Sequence, residues 1–154
     1  MGSNVADIVD YTAWRAGTFI PGLTSVAGAG QGVYSDPFRP GETIAAAPSN
    51  PVAALSHWSE LPTAPAINYV TQSGTVEIAW TIPMKLFISK APIEDVRRIL
   101  LPFYDGYLAA FVPDPTLGGL AVRSYFASFG VQGNDDWAWL AVSLVAVELV
   151  RYTV

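Results

Sequence analysis

The clearest pattern in this chain is a strict alternation of apolar and other residues over the thirteen positions that follow Thr75. One set of alternate positions is apolar throughout: Val76, Ile78, Trp80, Ile82, Met84, Leu86 and Ile88. The positions between them include Glu77, Thr81 and Lys85. A period of two over this length is typical of a β-strand with one buried face. The pattern therefore predicts a long strand over Thr75–Ser89.

A helical pattern follows this strand, because the apolar residues then recur at spacings of three and four. A strand with one apolar face and a helix with one apolar stripe bury both surfaces by packing together. We predict a main helix over 92–112 that contacts the sheet through Val96, Leu100 and Tyr104. Pro102 lies inside this helix and predicts a kink or a break, because proline removes a backbone donor there.

Other segments complete the predicted fold. Three further strands are predicted over 66–71, 120–131 and 137–152, separated by turn residues or by the main helix. The fold class that we predict is α+β, with a mostly antiparallel four-stranded sheet packed against the main helix and an N-terminal helix over 3–16. Polar residues interrupt the last strand at Ser143 and Glu148, which predicts a bulge or bend between them.

Residues 18–65 differ in character from the rest of the chain. Glycine and proline are dense there and apolar periodicity is weak, so loops and extended backbone are favoured, with 51–58 the best candidate for a short helix. A loop of this length is uncommon inside a compact domain unless something holds it. We interpret 1–154 as one domain in which 18–65 forms a long arm that contacts neighbouring chains.

The composition favours a protein that assembles with other chains over one that stays monomeric. Half of the residues, 51%, are hydrophobic and only 14% are charged, which leaves more apolar side chains than a small surface normally carries. We expect this surplus at contacts between subunits. One face of the strand over 137–152 can meet the helix, and the other can meet a neighbour. The candidate interface residues are the aromatic side chains of Tyr34, Phe38, Trp137 and Trp139.

Charge and hydropathy argue against two classes of partner. The net charge is -5 and no cluster of Lys and Arg occurs, so we expect no specific binding of nucleic acid. The longest apolar run covers 137–147, about half of the roughly 20 residues that a membrane span needs. We therefore expect no membrane contact.

No arrangement of residues in this sequence predicts catalysis. The chain contains no cysteine, and its one histidine, His57, lacks the sequence context of a catalytic triad. We interpret His57 as a residue on the surface of a loop or helix. The glycines at 28, 30 and 32 lack the spacing and the following lysine of a phosphate loop. We therefore predict no catalytic residue, no cofactor and no metal ligand.

One motif connects the main helix to the next strand. Its sequence is D-x-T-L-G-G, formed by Asp114, Thr116, Leu117, Gly118 and Gly119. Two glycines suit a tight turn from helix to strand, which needs positive φ or close backbone approach. In this motif and in the order of the elements over about 60–154, the chain resembles the tail terminator, or tail completion, proteins of long-tailed bacteriophages.

This resemblance implies a structural protein of the virion. It would form a ring, a hexamer in that family, at the head-proximal end of the tail. There it would stop polymerisation of the tail tube and join the tube to the head. The implied partners are further copies of the chain, the tail tube protein and a head-completion or neck protein. DNA would pass through the ring without specific binding, and assembly would take place in the host cytoplasm.

Two other classes of function stay open on the sequence alone. One is another head–tail connector or tail-tube subunit of similar α+β build. The other is a small-molecule-binding or enzymatic domain. Closed rings would favour the tail terminator, long tubes would favour a tube subunit, and a stable monomer with a pocket would favour the third class.

Overall fold

The computed structural model describes residues 2–20, 24–25, 56–69, 74–89, 97–98, 100–133 and 137–152. The elements in chain order are α1 (Val5–Phe19), β1 (Thr24–Ser25), β2 (Ser56–Ser59), β3 (Pro65–Tyr69), β4 (Thr75–Ser89), α2 (Phe103–Phe111), β5 (Arg123–Gly133) and β6 (Trp137–Arg151). The fold class is α+β, as the sequence predicted.

The centre of the sheet is the pairing of β4 with β6. These strands run antiparallel over fifteen positions without a register shift, from Thr75 opposite Arg151 to Ser89 opposite Trp137. β5 pairs with the far side of β6, and β2 and β3 follow one another along the far side of β4. The four antiparallel strands predicted from the sequence are confirmed, in the order β3-β4-β6-β5. β1 joins the edge as a short strand parallel to β2.

The predicted arm over 18–65 has secondary structure at both of its ends, and its middle lies outside the described residues, so the arm stays a prediction. α1 continues through Phe19, and β1 and β2 lie inside the supposed arm. Residues 56–58, assigned to a helix, belong to β2. The strand has no apolar alternation because its inward-facing residues, His57 and Ser59, are polar and buried. Residues 21–23 and 26–55, including Tyr34 and Phe38, lie outside the described residues.

The main helix is described from Phe103, and residues 97, 98 and 100 are also helical. A turn at 101–102 precedes α2, but 90–96 and 99 lie outside the described residues, so the kink at Pro102 stays a prediction. Leu100 is buried as predicted. Tyr104 contacts Phe129 of β5, with the ring centres 4.6 Å apart, so its predicted contact with the sheet is present although its side chain is 41% exposed.

Both helices cover one face of the sheet, which we call the inner face. The predicted alternation of β4 is confirmed, since Ile82, Met84 and Leu86 are fully buried there. Leu140, Val142 and Leu144 continue this layer on β6. The helices complete it with a set of fully or almost fully buried side chains: Ile8, Val9, Ala16, Tyr107, Ala110 and Phe111. The opposite, outer face has no helix over it among the described residues.

The predicted bulge lies in a different strand. β6 pairs regularly with β4 throughout, and the register shift falls in β5, between Phe126 and Ser128. Glu148 does not interrupt β6 because its carboxylate faces inward and accepts hydrogen bonds there. A polar residue that breaks a sequence pattern therefore need not break the strand.

We predict that Ile82→Asp lowers the free energy of unfolding by several kcal/mol, because it places an unpaired carboxylate in the buried layer. Its matched control is Thr81→Asp, since Thr81 is exposed on the outer face. That control should change stability by no more than about 0.5 kcal/mol. Urea denaturation of both variants measures the difference, and equal losses would contradict the assignment of the two faces.

Candidate functional site

The turn between α2 and β5 contains the motif residues and is tightly bonded. The N–H of Leu117 donates to the carbonyl of Asp114 at 3.1 Å, and the carbonyl of Thr116 accepts from Gly119 at 3.0 Å and from Ala121 at 2.9 Å. Leu117, Gly118 and Gly119 have φ angles of 50°, 67° and 89°. Three consecutive residues with positive φ explain why glycine occupies two of these positions.

Asp114 holds this turn to α1. Its carboxylate accepts the N–H of Gly118 at 3.1 Å and the hydroxyl of Tyr11 at 2.5 Å, and it lies 3.2 Å from Nη1 of Arg15. Partial burial disfavours the charged form, but the two hydrogen bonds and the Arg15 charge outweigh it and lower the pKa of Asp114. Arg15 also donates from Nε to the carbonyl of Ala110 at 2.5 Å.

The structure also explains the other residues of the motif. Leu117 is fully buried in the core, which offsets the cost of a left-handed backbone at a residue with a side chain. Gly118 faces the ring of Tyr11, and an added Cβ would lie 2.8 Å from Cε2 of that ring. The side chain of Thr116 is exposed, and only its carbonyl is bonded. The motif therefore specifies a backbone turn docked on α1.

We predict that Gly118→Ala destabilises the protein more than Gly119→Ala. Both changes add a side chain at positive φ, which costs roughly 1–2 kcal/mol. Only Gly118 lacks space, since an added Cβ at Gly119 has no atom within 4 Å. Thermal or urea unfolding of the two variants gives the comparison. Equal losses would show that Tyr11 moves aside at no cost.

A chain of buried polar side chains links α1, β2 and α2. Nδ1 of His57 lies 2.6 Å from the hydroxyl of Tyr107, and Nε2 lies 2.9 Å from Oγ of Ser59. Oγ1 of Thr12 lies 3.0 Å from the same Ser59 oxygen and 2.7 Å from the carbonyl of Val9. His57, Ser59, Tyr107 and Thr12 are all buried.

One assignment of hydrogens satisfies every donor in this chain. Tyr107 donates to Nδ1 of His57, and the Nε2–H of His57 donates to Ser59. The Ser59 hydroxyl then donates to Thr12, and Thr12 donates to the carbonyl of Val9. The opposite direction would leave the Tyr107 hydroxyl hydrogen without an acceptor in the network, which is costly for a buried group. The imidazole is therefore neutral and carries its proton on Nε2.

This cluster corrects the interpretation of His57 as a surface residue. His57 is 1% exposed, and burial lowers its pKa to about 3. A serine beside a histidine also occurs in hydrolases. Here, however, both side chains are sealed from solvent, so no substrate can reach Ser59. The cluster positions the two helices on the sheet edge. The sequence shows only polar residues in this region, with no period that would reveal their burial.

We predict that the free energy of unfolding falls by about 2 kcal/mol between pH 7 and pH 5. The unfolded chain binds a proton at His57 near pH 6.5, whereas the folded chain binds it only near pH 3. The contribution of His57 to the free energy of unfolding is therefore fully present above pH 6.5. It is lost as the pH falls from 6.5 toward 3. Urea denaturation at several pH values measures the loss.

The matching control for this prediction uses the fact that His57 is the only histidine. Its imidazole proton resonances in the folded protein should stay constant from pH 8 down to about pH 4.5. A titration with a midpoint near 6.5 in the folded protein would contradict the buried neutral state. Among the described carboxylates, partial burial and the nearby charge of Asp7 raise the pKa of Asp10 toward this window.

Glu148 forms a second buried polar cluster at the other end of α1. Its carboxylate accepts the backbone N–H of Asn4 at 2.7 Å and the indole N–H of Trp80 at 2.9 Å, and it also accepts the hydroxyl of Ser3. A carboxylate at the start of a helix is favoured by the helix dipole. Glu148 therefore fixes the start of α1 over β6. A cleft of about 270 Å³ lies beside it.

The outer face of the sheet is a candidate contact surface. Its middle section has no charged side chain and consists of small or apolar residues, with serine and threonine: Ala79, Thr81, Pro83, Tyr125, Ser128, Gly130, Ala141, Ser143, Val145 and Val147. Two ion pairs bound it: Lys85 lies 2.9 Å from Glu60, and Arg123 lies 2.6 Å from Glu77. The Arg123 side chain reaches across β6 to β4, and Val147, the ladder partner of Arg123, is only 1% exposed.

Of the four predicted interface residues, Trp139 is the one whose side chain lies within the described part of the chain. It lies on the outer face, where its indole N–H donates to Gln132 at 3.1 Å and its ring centre is 5.7 Å from Nζ of Lys85. The ring is half-buried within its own sheet. For Trp137, the backbone alone is described. The interface role of both residues stays a prediction.

Two further classes of feature do not occur in the part of the chain that the structure describes. No group of three or more acidic, histidine or cysteine side chains there could hold a metal ion. Of the described helices, none combines the length and apolar character that crossing a membrane requires. Neither a known protein family nor a curated protein matches this sequence.

Proposed function

We propose that this protein is a structural subunit of a phage or phage-like tail. In this proposal it forms a closed ring of six copies that caps the head-proximal end of the tail tube, stops tube polymerisation and joins the tube to the head. The role is mechanical, without catalysis or a cofactor. The partners are other copies of the chain, the tail tube protein and a head-completion or neck protein.

The observation that carries this proposal is the turn at Asp114–Gly119 in its structural setting. It follows the main helix and leads into β5, which is where the resemblance to tail terminators expects it. Its tight bonding to Tyr11 and Arg15 makes it a fixed part of the fold. The support is therefore a likeness of architecture, since no residue of the turn carries a reaction.

The outer face supports an assembly more directly. It is broad, has no charge in its middle section and has no helix over it among the described residues. Apolar side chains are also exposed outside the outer face: Trp14, Phe19, Leu101, Val112 and Val122. Exposed apolar surface is typical of proteins that bind other subunits. On the outer face Tyr125 is 52% exposed, whereas Val145 and Val147 are buried. We propose the outer face as one contact surface of the ring.

The charge distribution supports passage of DNA without binding. The net charge is -5, and three of the described cations, Arg15, Lys85 and Arg123, are held in ion pairs within the chain. Affinity for duplex DNA depends on cations that replace counterions along the phosphates. We propose that the ring conducts DNA because it offers few such cations. Its Gly/Pro-rich segment and a helix kinked at Pro102 complete the proposed subunit.

We predict that the purified protein forms closed rings in negative-stain images and a discrete oligomer by light scattering. Added tail tube protein should bind the rings, and tubes should end at them. Long tubes formed by this chain alone would instead indicate a tube subunit. A stable monomer that binds a small molecule would overturn the proposal.

The Thr81→Asp variant provides the matched test of the outer face. It should fold normally, because Thr81 is exposed, yet it places a charge in the middle of the proposed contact surface. We expect loss of the oligomer with an unchanged circular dichroism spectrum. Normal rings formed by this variant would show that the outer face is not a contact surface between subunits.

A further inference from the structure

One side of α1 carries exposed acidic and aromatic side chains. Asp7, Asp10 and Trp14 are spaced by three and four positions, and Tyr11 lies between the last two, so all four share one side of the helix. Both carboxylates are exposed, and Trp14 is 42% exposed although its side chain is large and apolar. A different side of α1 packs into the core. We call these four residues the α1 patch.

The aromatic rings of this patch form one wall of an open cleft. The centre of the Trp14 ring lies 5.5 Å from that of Tyr11, and Phe19 packs edge-on against Trp14 at 5.8 Å. The cleft has a volume of about 500 Å³ and is lined by Asp7, Asp10, Tyr11, Trp14 and Leu120. It therefore offers an aromatic surface beside two carboxylates.

The two carboxylates lack a cation of their own. Among the described residues, neither Asp7 nor Asp10 forms an ion pair. Partial burial and then the negative charge of Asp7 raise the pKa of Asp10, because both disfavour its charged form. An arginine guanidinium suits such a site, since it pairs with carboxylates through several N–H groups and stacks on aromatic faces. The α1 patch therefore fits an arginine of another surface.

Two arginines of the same sequence have no ion pair in the described part of the chain. Arg97 and Arg98 are adjacent, and both are exposed. Three of the other described cations are already held in ion pairs within the chain. A further cation, Arg151, borders a second cleft that shares Leu120 with the first, so it lies at the same end of the molecule as the α1 patch. The adjacent arginines are therefore the complementary charges that a second copy offers.

The α1 patch and this arginine pair lie at opposite ends of the helical layer. Tyr11 bonds to Asp114, which follows α2, whereas Ile20, at the end of α1, lies against Gly106 in the first turn of α2. The two helices are therefore antiparallel. The carboxylates of the patch lie toward the end of α2, and the two arginines precede its start. Copies placed head to tail can bring the arginines of one copy to the patch of the next.

We propose that Arg97 and Arg98 of one copy bind the α1 patch of the next copy. The proposal rests on the ring assembly proposed above and names a contact between its neighbouring subunits. The guanidinium groups pair with Asp7 and Asp10, and one of them stacks on the ring of Trp14. A contact between two different surfaces of the same chain closes into a ring when the rotation permits.

Charge reversal tests this contact in two variants. Asp7→Arg with Asp10→Arg makes the patch basic, and Arg97→Asp with Arg98→Asp makes the arginine pair acidic. Each variant alone places like charges in the contact, so the protein concentration at half-assembly should rise roughly tenfold or more. The circular dichroism spectrum should stay unchanged, because the substituted side chains are exposed. Light scattering over a dilution series measures the assembly.

A mixture of the two variants gives the sharper comparison. In an alternating ring every contact then joins opposite charges, with the natural polarity at one contact and the reversed polarity at the next. Alternation needs an even number of copies, which the proposed ring of six provides. We expect the mixture to assemble at concentrations where neither variant does. A single chain that carries all four substitutions should assemble as well.

Two control experiments accompany these variants. Thr63→Arg adds a positive charge at an exposed position between β2 and β3, outside both surfaces, and should assemble normally. Trp14→Ala should weaken assembly, whereas Trp14→Tyr should retain most of it, since a tyrosine ring also attracts a cation.

The outcomes separate this contact from the ring that it serves. Normal rings from either charge-reversed variant, or no recovery in the mixture, would overturn the pairing and leave the ring. Loss of assembly in the patch variant alone would show that the patch binds a different cation, which also overturns the pairing. A natural chain that stays monomeric would overturn the ring and, with it, this contact.

Discussion

The fifteen-position ladder between β4 and β6 is the interaction on which the rest of this structure depends. Side chains alternate between faces along both strands, so a slip of one residue would move the entire inner layer to the outer face. Every other element attaches to this ladder. β5 extends it on one side, β2 and β3 extend it on the other, and both helices cover its inner face.

Buried polar groups then decide where the helices sit on that ladder. Glu148 binds the start of α1, and the network of His57 links the middle of α1 to β2 and α2. Apolar packing alone is poorly directional, whereas a buried hydrogen bond is lost when its partner shifts by about an ångström. Asp114 adds a third attachment through Tyr11. α1 is therefore fixed along its length by specific contacts.

The sequence was most informative where one face of an element is apolar. Alternation predicted both bounds of β4, and helical spacing predicted the buried position of Leu100. The sequence patterns failed to predict the structure where buried residues are polar. β2 was missed because His57 and Ser59 bond to each other and to the helices, and Glu148 was taken for the site of a bulge because an inward carboxylate resembles a break in the pattern.

The candidate site could be predicted only in part, for a related reason. The two glycines indicated a tight turn, and the turn has positive φ at both of them and at Leu117. The contacts of Asp114 with Tyr11 and Arg15 join residues about a hundred positions apart, and no local pattern reports such a pairing. The outer face was predicted from the two apolar faces of β6, although the ion pair between Arg123 and Glu77 was not.

That ion pair has a consequence for how the outer face responds to its solution. Arg123 and Glu77 join across β6, and the arginine side chain is largely exposed, so dissolved ions screen their attraction. In concentrated salt the pair therefore loosens, whereas contacts between apolar groups are not screened. Adhesion through this surface would thus strengthen with ionic strength, whereas attraction to phosphates weakens with it.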